Sequence, residues 1–239
     1  MTSQPQLDRH VAIVTGGSRG IGLAITRGYV ARGARVVVSG RKQEHLDAVC
    51  RELGDAVAVV RGDVADPEVA ESLVQTASSR FGGLDSLINN AGVGTFVNVV
   101  DMPVEAWQRL IATNLTGVFL CTKAAIPALR QRGGGWVINI SSLAGRNSFA
   151  GGAAYCASKA GLNAFAESLM LEVRQENIRV STVMPGSVQT SFSSGGDSPE
   201  HDWKLSPDDV AQVVFDLLGH SARSLPSRVE IRPSKPNAK

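Results

Sequence analysis

Short apolar runs that stop in glycine, proline or an acid alternate along this chain with longer stretches whose apolar residues recur at helical spacing. The first run, residues 11–15, ends in glycines, as a strand buried on both faces does. Residues 20–32 read as a helix, 35–39 as a second strand, and 42–53 as a helix with a charged outer face. A third strand is predicted over 56–61, closed by Gly62 and Asp63. Asp66 followed by Pro67 predicts a helix start, because proline suits the first turn, and the periodicity carries that helix to Phe81. Residues 84–88 form the fourth predicted strand, running into Asn89, Asn90, Ala91 and Gly92. From Pro103 to about Arg132 the pattern is helical, broken or bent near 114–117. A fifth strand is predicted over 136–140, an alanine-rich helix over 153–175, and a sixth strand over 178–184, closed by Pro185 and Gly186. Ser206 and Pro207 open a helix to Leu218, and residues 228–231 are the last candidate strand.

This rhythm predicts an α/β protein: a doubly wound, Rossmann-type, mostly parallel sheet of about seven strands, with helices on both faces and right-handed crossovers. No linker, composition shift or repeat divides the chain, so one domain over 1–239 is expected, with loose tails at 1–8 and 233–239. Ligands of such sheets bind outside the carboxyl ends of the strands, at the topological switch. The glycines after strand one, Asp63 after strand three, Asn89 to Gly92 after strand four, and Ser141 and Ser142 after strand five all fall there.

Composition changes this picture little. A hydrophobic fraction of 43% with 19% charged residues is that of an ordinary soluble globular protein, and a net charge of +2 supplies no electrostatic case for nucleic acid or a membrane. The N-terminus lacks the apolar segment of a signal peptide, and no apolar run approaches the roughly 20 residues of a membrane span. Cys50, Cys121 and Cys156 show no paired spacing and read as reduced thiols, Cys156 as small buried filler. Four scattered histidines give no basis for a metal site. A cytoplasmic protein is the default expectation.

Candidate chemistry begins at Gly16, Gly17, Ser18, Arg19, Gly20, Ile21 and Gly22, between the first strand and the first helix. The spacing is GxxxGxG, and no Lys-Ser or Lys-Thr follows, which excludes a Walker loop. Such a turn lets backbone approach a pyrophosphate at a helix N-terminus. A carboxylate ending strand two would hold an unphosphorylated ribose; here Ser39, Gly40, Arg41 and Lys42 stand there instead. Arg41, with Arg19, suits a 2′-phosphate, so NADP(H) is expected over NAD(H).

Tyr155 and Lys159 are four residues apart, hence on one face of a helix. A cation beside a phenol lowers its pKa, as proton transfer to a carbonyl oxygen near neutrality needs. The same spacing is common on solvated helices, so the pair gains meaning only from the rest of the chain.

Together, Thr15-Gly16-x3-Gly20-Ile21-Gly22, Asp63-Val64, Asn89 to Gly92, Asn114, Ser142, Tyr155-x3-Lys159 and Pro185-Gly186-x3-Thr190 resemble the short-chain dehydrogenases/reductases, over about residues 8–218 and in the shorter, single-domain branch. The resemblance implies an oxidoreductase that interconverts a ketone or aldehyde and an alcohol, with Asn114, Ser142, Tyr155 and Lys159 as a catalytic tetrad. Ser142, thirteen residues before Tyr155, takes the catalytic place and Ser141 a supporting one. Tyr155 would protonate the alkoxide, Ser142 orient that oxygen, Lys159 hold the nicotinamide ribose and, with the charge of the oxidised nicotinamide, lower the phenol pKa, and Asn114 anchor a water of a proton relay through Lys159. Asp63 and Val64 would hold adenine, Asn90, Ala91 and Gly92 line the adenosine ribose, and Pro185, Gly186, Val188 and Thr190 hold the nicotinamide.

The resemblance also implies a homotetramer or homodimer, paired through the long helices after strands four and five. The second of these is rich in small residues: Ala153, Ala154, Ala157, Ala160, Gly161 and Ala164. Substrate selectivity is assigned to residues 93–98, 143–152 and 187–205, the last a short mobile lid carrying Phe192 and Trp203. Many relatives, among them the 3-oxoacyl-carrier-protein reductases, end in Gly-x4-Val-Asp-Gly-Gly; here residues 227–233 read Ser-Arg-Val-Glu-Ile-Arg-Pro. That leaves carrier-protein reduction as an alternative, beside a catalytically silent NADP(H) sensor or scaffold of the same fold.

Overall fold

The computed structural model describes residues 6–190 and 202–236. Its sheet has seven strands in the order β3-β2-β1-β4-β5-β6-β7. They are β1 (Val11–Val14), β2 (Arg35–Gly40), β3 (Val57–Arg61), β4 (Ser86–Asn89), β5 (Gly135–Ile140), β6 (Ile178–Pro185) and β7 (Arg228–Ile231). Every neighbouring pair runs parallel. The order reverses beside β1, which pairs with β2 on one side and β4 on the other, so the switch point lies at the carboxyl ends of β1 and β4.

Alternation along each strand divides the core in two. Ala12, Val14, Val36, Val38, Ile138 and Ile140 face α1 (Gly20–Ala31) and α7 (Pro207–Leu218), where they meet Ile25, Tyr29, Val210 and Phe215. Val11, Ile13, Val37 and Val137 face α3 (Pro67–Phe81), α5 (Gly117–Gln131) and α6 (Ala153–Val173), meeting Leu73, Leu129 and Leu169. Each such aliphatic side chain, fully buried, contributes about 1.5–3 kcal/mol. Helix starts follow local chemistry. Asp66 accepts from the Glu68 N–H at 2.9 Å ahead of Pro67, and Ser206 with Asp209 forms a reciprocal cap on α7. The remaining helix of this face pair, α2 (Gln43–Leu53), carries its buried Leu46 and Val49 against the first core.

The long helix after β4 is continuous rather than broken. α4 (Val104–Ile111) passes into α5 through a π-helical turn, Ala112–Thr116, where the Gly117 N–H reaches back to the Ala112 carbonyl. Spanning Val104–Gln131, 28 residues, it is long and apolar enough to cross a membrane by length and composition alone, although Glu105, Arg109, Lys123 and Arg130 interrupt its apolar positions. Half of its most apolar window is buried inside the protein, where Leu110, Val118, Cys121, Ala125 and Leu129 enter the core. The expected helix over 153–175 ends at Val173 and finishes in a 3-10 turn, Arg174–Glu176.

Candidate active site

The carboxyl ends of the strands open into a cleft of about 1090 Å³. At one end lies the glycine loop. Gly16 has φ +63°, Gly20 φ +51°, and a Cβ on Gly22 would stand 2.3 Å from the Gly16 carbonyl oxygen. The loop therefore offers backbone, with no side-chain volume, to whatever lies against it. α1 begins there with no acidic residue in its first turn. The loop is tied to its surroundings by the Gly16 N–H donating to Ser39 Oγ at 3.3 Å and by Asn90 Nδ2 donating to the Thr15 and Gly16 carbonyls at 3.0 and 3.2 Å. Thr15 Oγ1 in turn accepts from the Asn90 and Ala91 N–H groups at 3.0 Å each.

Ser18, Arg19, Ile21, Arg41, Asp63, Val64, Ala91 and Gly92 all line this cleft. Arg19 and Arg41 are exposed and form no ion pair among the described residues. Asp63 Oδ1 accepts from the Ala65 N–H at 3.0 Å. Pro185, Gly186, Val188 and Thr190 line the same cleft, and Val188 is bridged to Leu205 through Leu205 N–H to the Ser187 carbonyl at 3.0 Å. Of the expected lid, residues 191–201, Phe192 among them, lie outside the described residues; Trp203 lines the cleft.

Ser142, Tyr155 and Lys159 line the middle of the cleft. Ser142 precedes a 3-10 turn, accepts from the Ala144 N–H at 3.1 Å, and is hydrogen-bonded to the Tyr155 side chain. Ser141 is engaged elsewhere, donating to Asn163 Oδ1 at 2.6 Å. Lys159 is buried, and its Nζ donates to the Ile140 carbonyl at 2.9 Å. Burial alone pulls its pKa down to about 8. The Tyr155 phenol is pushed up from its ordinary value, by burial first, while the Ser142 hydrogen bond works the other way. The chain's own groups thus leave the phenol raised, whereas the expected lowering also invokes the nicotinamide charge. The ammonium lies 5.9 Å from the phenol ring centre and donates to a carbonyl, while desolvation disfavours charge on both groups.

Asn114 sits fully buried in the π-helical turn, behind the cleft wall. Its Oδ1 accepts from the Val93 N–H at 2.8 Å, and its Nδ2 donates to the Val93 carbonyl and to Ser158 Oγ at 2.9 and 3.1 Å. A Cβ on Gly92 would lie 3.4 Å from Asn114 Oδ1 and 3.9 Å from Lys159 Nζ, so Gly92 occupies the space between them.

The segments 93–98 and 143–152, to which substrate selectivity is assigned, both contribute to the cleft wall. Phe96 and Phe149 meet beside Tyr155 from loops far apart in the chain. Pro233 and Pro236, from the segment expected to be a loose tail, also line the cleft, as does Arg232 just before it. The Gly186 N–H donates to the Ile231 carbonyl at 2.8 Å, bringing that segment against β6. Among the described residues no cluster of metal-ligating side chains occurs.

A parallel sheet whose switch point opens into a glycine-lined cleft is the frame of a dinucleotide-binding α/β protein. A family model described as short chain dehydrogenase matches residues 10–200. The chain is 38% identical over 212 residues to a 3-alpha-(or 20-beta)-hydroxysteroid dehydrogenase of Mycobacterium tuberculosis, covering 89% of this chain and 76% of that one. Among solved structures, a metagenomic short-chain oxidoreductase in complex with NADP superposes with TM-score 0.84 at 40% identity, over 97% of this chain and 100% of that one. The closed form of a serine dehydrogenase complexed with NADP+ superposes with TM-score 0.86 at 31% identity, over 92% and 94%. The protein belongs to the short-chain dehydrogenase/reductase family of oxidoreductases.

Proposed function

We propose that this protein is an NADP(H)-dependent oxidoreductase interconverting a ketone or aldehyde and an alcohol, with Tyr155 as its acid and base. The observation that carries the reading is the meeting of a Ser142–Tyr155 hydrogen bond and a buried Lys159 in the same cleft as the glycine loop. The residues fit the cofactor. The loop leaves backbone open to a pyrophosphate, no acid opposes it at the start of α1, and Arg19 and Arg41 are available cations for a 2′-phosphate. Two structural relatives carry NADP or NADP+ in their complexes. Gly16, Ser18, Gly20, Ile21 and Gly22 would hold the diphosphate; Asp63 and Val64 the adenine; Asn90, Ala91 and Gly92 the adenosine ribose; Lys159 the nicotinamide ribose; Pro185, Gly186, Val188 and Thr190 the nicotinamide.

When bound, the cofactor supplies the hydride. The chain's residues manage the proton and the oxygen. Ser142 directs a hydrogen bond to the substrate oxygen, and Tyr155 gives that oxygen its proton in reduction or takes it in oxidation. Because burial raises the Tyr155 pKa, the phenol rests protonated, as a donor to a developing alkoxide must. Lys159, poised near neutrality, replenishes that proton, and Asn114 holds the 92–93 backbone against it.

A homotetramer or homodimer paired through α4, α5 and α6 belongs to the same proposal. It is supported by apolar side chains left exposed on that side, Val100 at 90%, Val104 at 64% and Trp107 at 41%, and by the exposed Ala153, Ala157, Ala160 and Ala164 of α6. Light scattering at micromolar concentration reads this directly, a monomer mass counting against it. The catalytic reading is tested by Tyr155→Phe, which is expected to abolish NADPH-dependent carbonyl reduction while leaving NADPH binding intact. Near-wild-type turnover in that variant would refute it.

A further inference from the structure

Tyr155 belongs to an apolar cluster with Leu110, Ala144, Ala154 and Cys156, to which Val93 and Met102 add their side chains. That apolar character does not stop at the phenol. Phe96 sets its ring edge against Tyr155, centroids 5.4 Å apart at 76°, and Phe149 tilts against Phe96 at 5.8 Å. Both phenyl rings line the cleft, yet they stay 49% and 48% exposed. Two half-exposed phenylalanines beside a buried phenol form apolar surface that a ligand at Tyr155 would cover.

The backbone holds this wall in place before any ligand arrives. The Val97 N–H donates to the Gly151 carbonyl at 2.7 Å, fastening the two loops together. A Cβ at 152 would stand 2.5 Å from the Phe149 ring, so Gly152 makes the room in which that ring lies. A pre-formed contact surface loses little freedom on binding. Of the basic groups lining the cleft, Lys159 stands by the phenol, with its ammonium 5.9 Å from the ring centre and donating to the Ile140 carbonyl; Arg19, Arg41, Lys42 and His45 lie towards the glycine loop and the end of β2, Arg232 is in an ion pair with Glu230 at 2.7 Å, and Lys204 is beside Trp203. On the side where Phe96 meets the phenol ring edge-on, the contact is aromatic and uncharged.

We infer that the substrates are aryl ketones and the matching benzylic alcohols, the aryl ring resting in edge contact with Phe96 and Phe149 while the oxygen faces Tyr155 and Ser142. The inference rests on the carbonyl–alcohol reading above. In reduction the carbonyl carbon takes the hydride of NADPH and the oxygen takes the Tyr155 proton, which solvent restores by way of Lys159, leaving alcohol and NADP+.

The test compares acetophenone with cyclohexyl methyl ketone, which has a similar volume but no π-face, using the full chain and NADPH. The expected kcat/KM favours acetophenone by about three- to tenfold, the scale of an aromatic pair. Phe96→Leu and Phe149→Leu, which keep apolar bulk, are each expected to bring that ratio towards one. Calorimetric titration of 1-phenylethanol against 1-cyclohexylethanol, with the NADP+-loaded protein, reads the same preference without turnover. Ketone reduction with equal efficiency for both compounds, unmoved by either leucine variant, overturns the aromatic site and keeps the carbonyl reading. Preferential 1-phenylethanol binding that either leucine variant abolishes, with no ketone turned over, keeps the aromatic site and overturns the carbonyl reading. Neither binding nor turnover overturns both.

Discussion

Asn114 grips the backbone of Val93 from both sides, accepting from its N–H at 2.8 Å and donating to its carbonyl at 2.9 Å. A single buried amide thus ties the π-helical turn of the long helix to the loop that begins the substrate side of the cleft. In Asn114→Ala, both Val93 groups, which are part-buried, lose these partners, and each costs up to about 1–3 kcal/mol to the extent that water does not replace them. The expected outcome is a lower urea midpoint together with a fall in kcat, because Gly92 no longer rests against a fixed neighbour near Lys159. Unchanged stability would show that the grip contributes nothing.

Lys159 makes the folded chain sensitive to alkaline pH in a direction that can be worked out. Its pKa falls from 10.5 to about 8 on burial, so between those values the unfolded chain holds a proton that the folded chain has released. Stability from this group therefore rises as pH rises from about 8 to about 10.5, and is flat below about 8. Lys159→Met should remove that rise and abolish carbonyl reduction. Urea midpoints of both proteins across that window, without nucleotide, check the slope; parallel curves would mean that Lys159 is not desolvated.

Cofactor choice should turn on Arg41, which stands exposed at the cleft just past the end of β2. Replacing it by Asp removes a charge-assisted contact to a 2′-phosphate and sets a like charge in its place. NADPH affinity is expected to fall about 10- to 100-fold, since hydrogen bonds to charged groups contribute about 1.5–3 kcal/mol, while NADH gains. Arg19→Ala should move affinity the same way by less. Fluorescence titration with both nucleotides decides this, and a wild-type preference for NADH would sink the assignment.

What the chain revealed before its structure was what local chemistry controls. The central apolar runs became strands buried on both faces, and the proline-led helix starts at Asp66 and Ser206 stand where the side chains cap. Residues at the carboxyl ends of strands converge on one cleft because a parallel sheet places all those ends together. The rest depends on depth and on contacts between distant segments. The spacing of Tyr155 and Lys159 sets them on one helix face but does not encode how far from water that face lies, so the direction of the tyrosine shift was not legible. The meeting of Phe96 with Phe149, and of the Arg232–Pro236 segment with the cleft, joins loops that no periodicity relates. Residues 104–131 carry many apolar positions because the helix is packed into a core, and the interruption expected near 114–117 is the π-helical turn Ala112–Thr116.

At the opposite end of the sheet, His10 is expected to set the acid limit of stability. It stacks on Tyr29 at 5.6 Å and meets Ser86 Oγ at 2.9 Å, which the Tyr29 hydroxyl also meets at 2.9 Å. Burial lowers the His10 pKa below 6.5, with the nearby Asp85 opposing and Arg132 reinforcing the shift. Asp85 is itself held by the Val11 N–H at 2.8 Å and by Arg132 at 2.8 Å, and it offers His10 only partial compensation for burial. With the folded value below the unfolded one, the unfolded chain binds the extra proton first. Stability is therefore fully present above about pH 6.5 and is lost as pH falls through that point toward the folded pKa. His10→Gln, which has no charge to gain, should flatten urea midpoints between pH 5 and 7 relative to wild type. An equally steep acid loss in that variant would place the titrating group elsewhere.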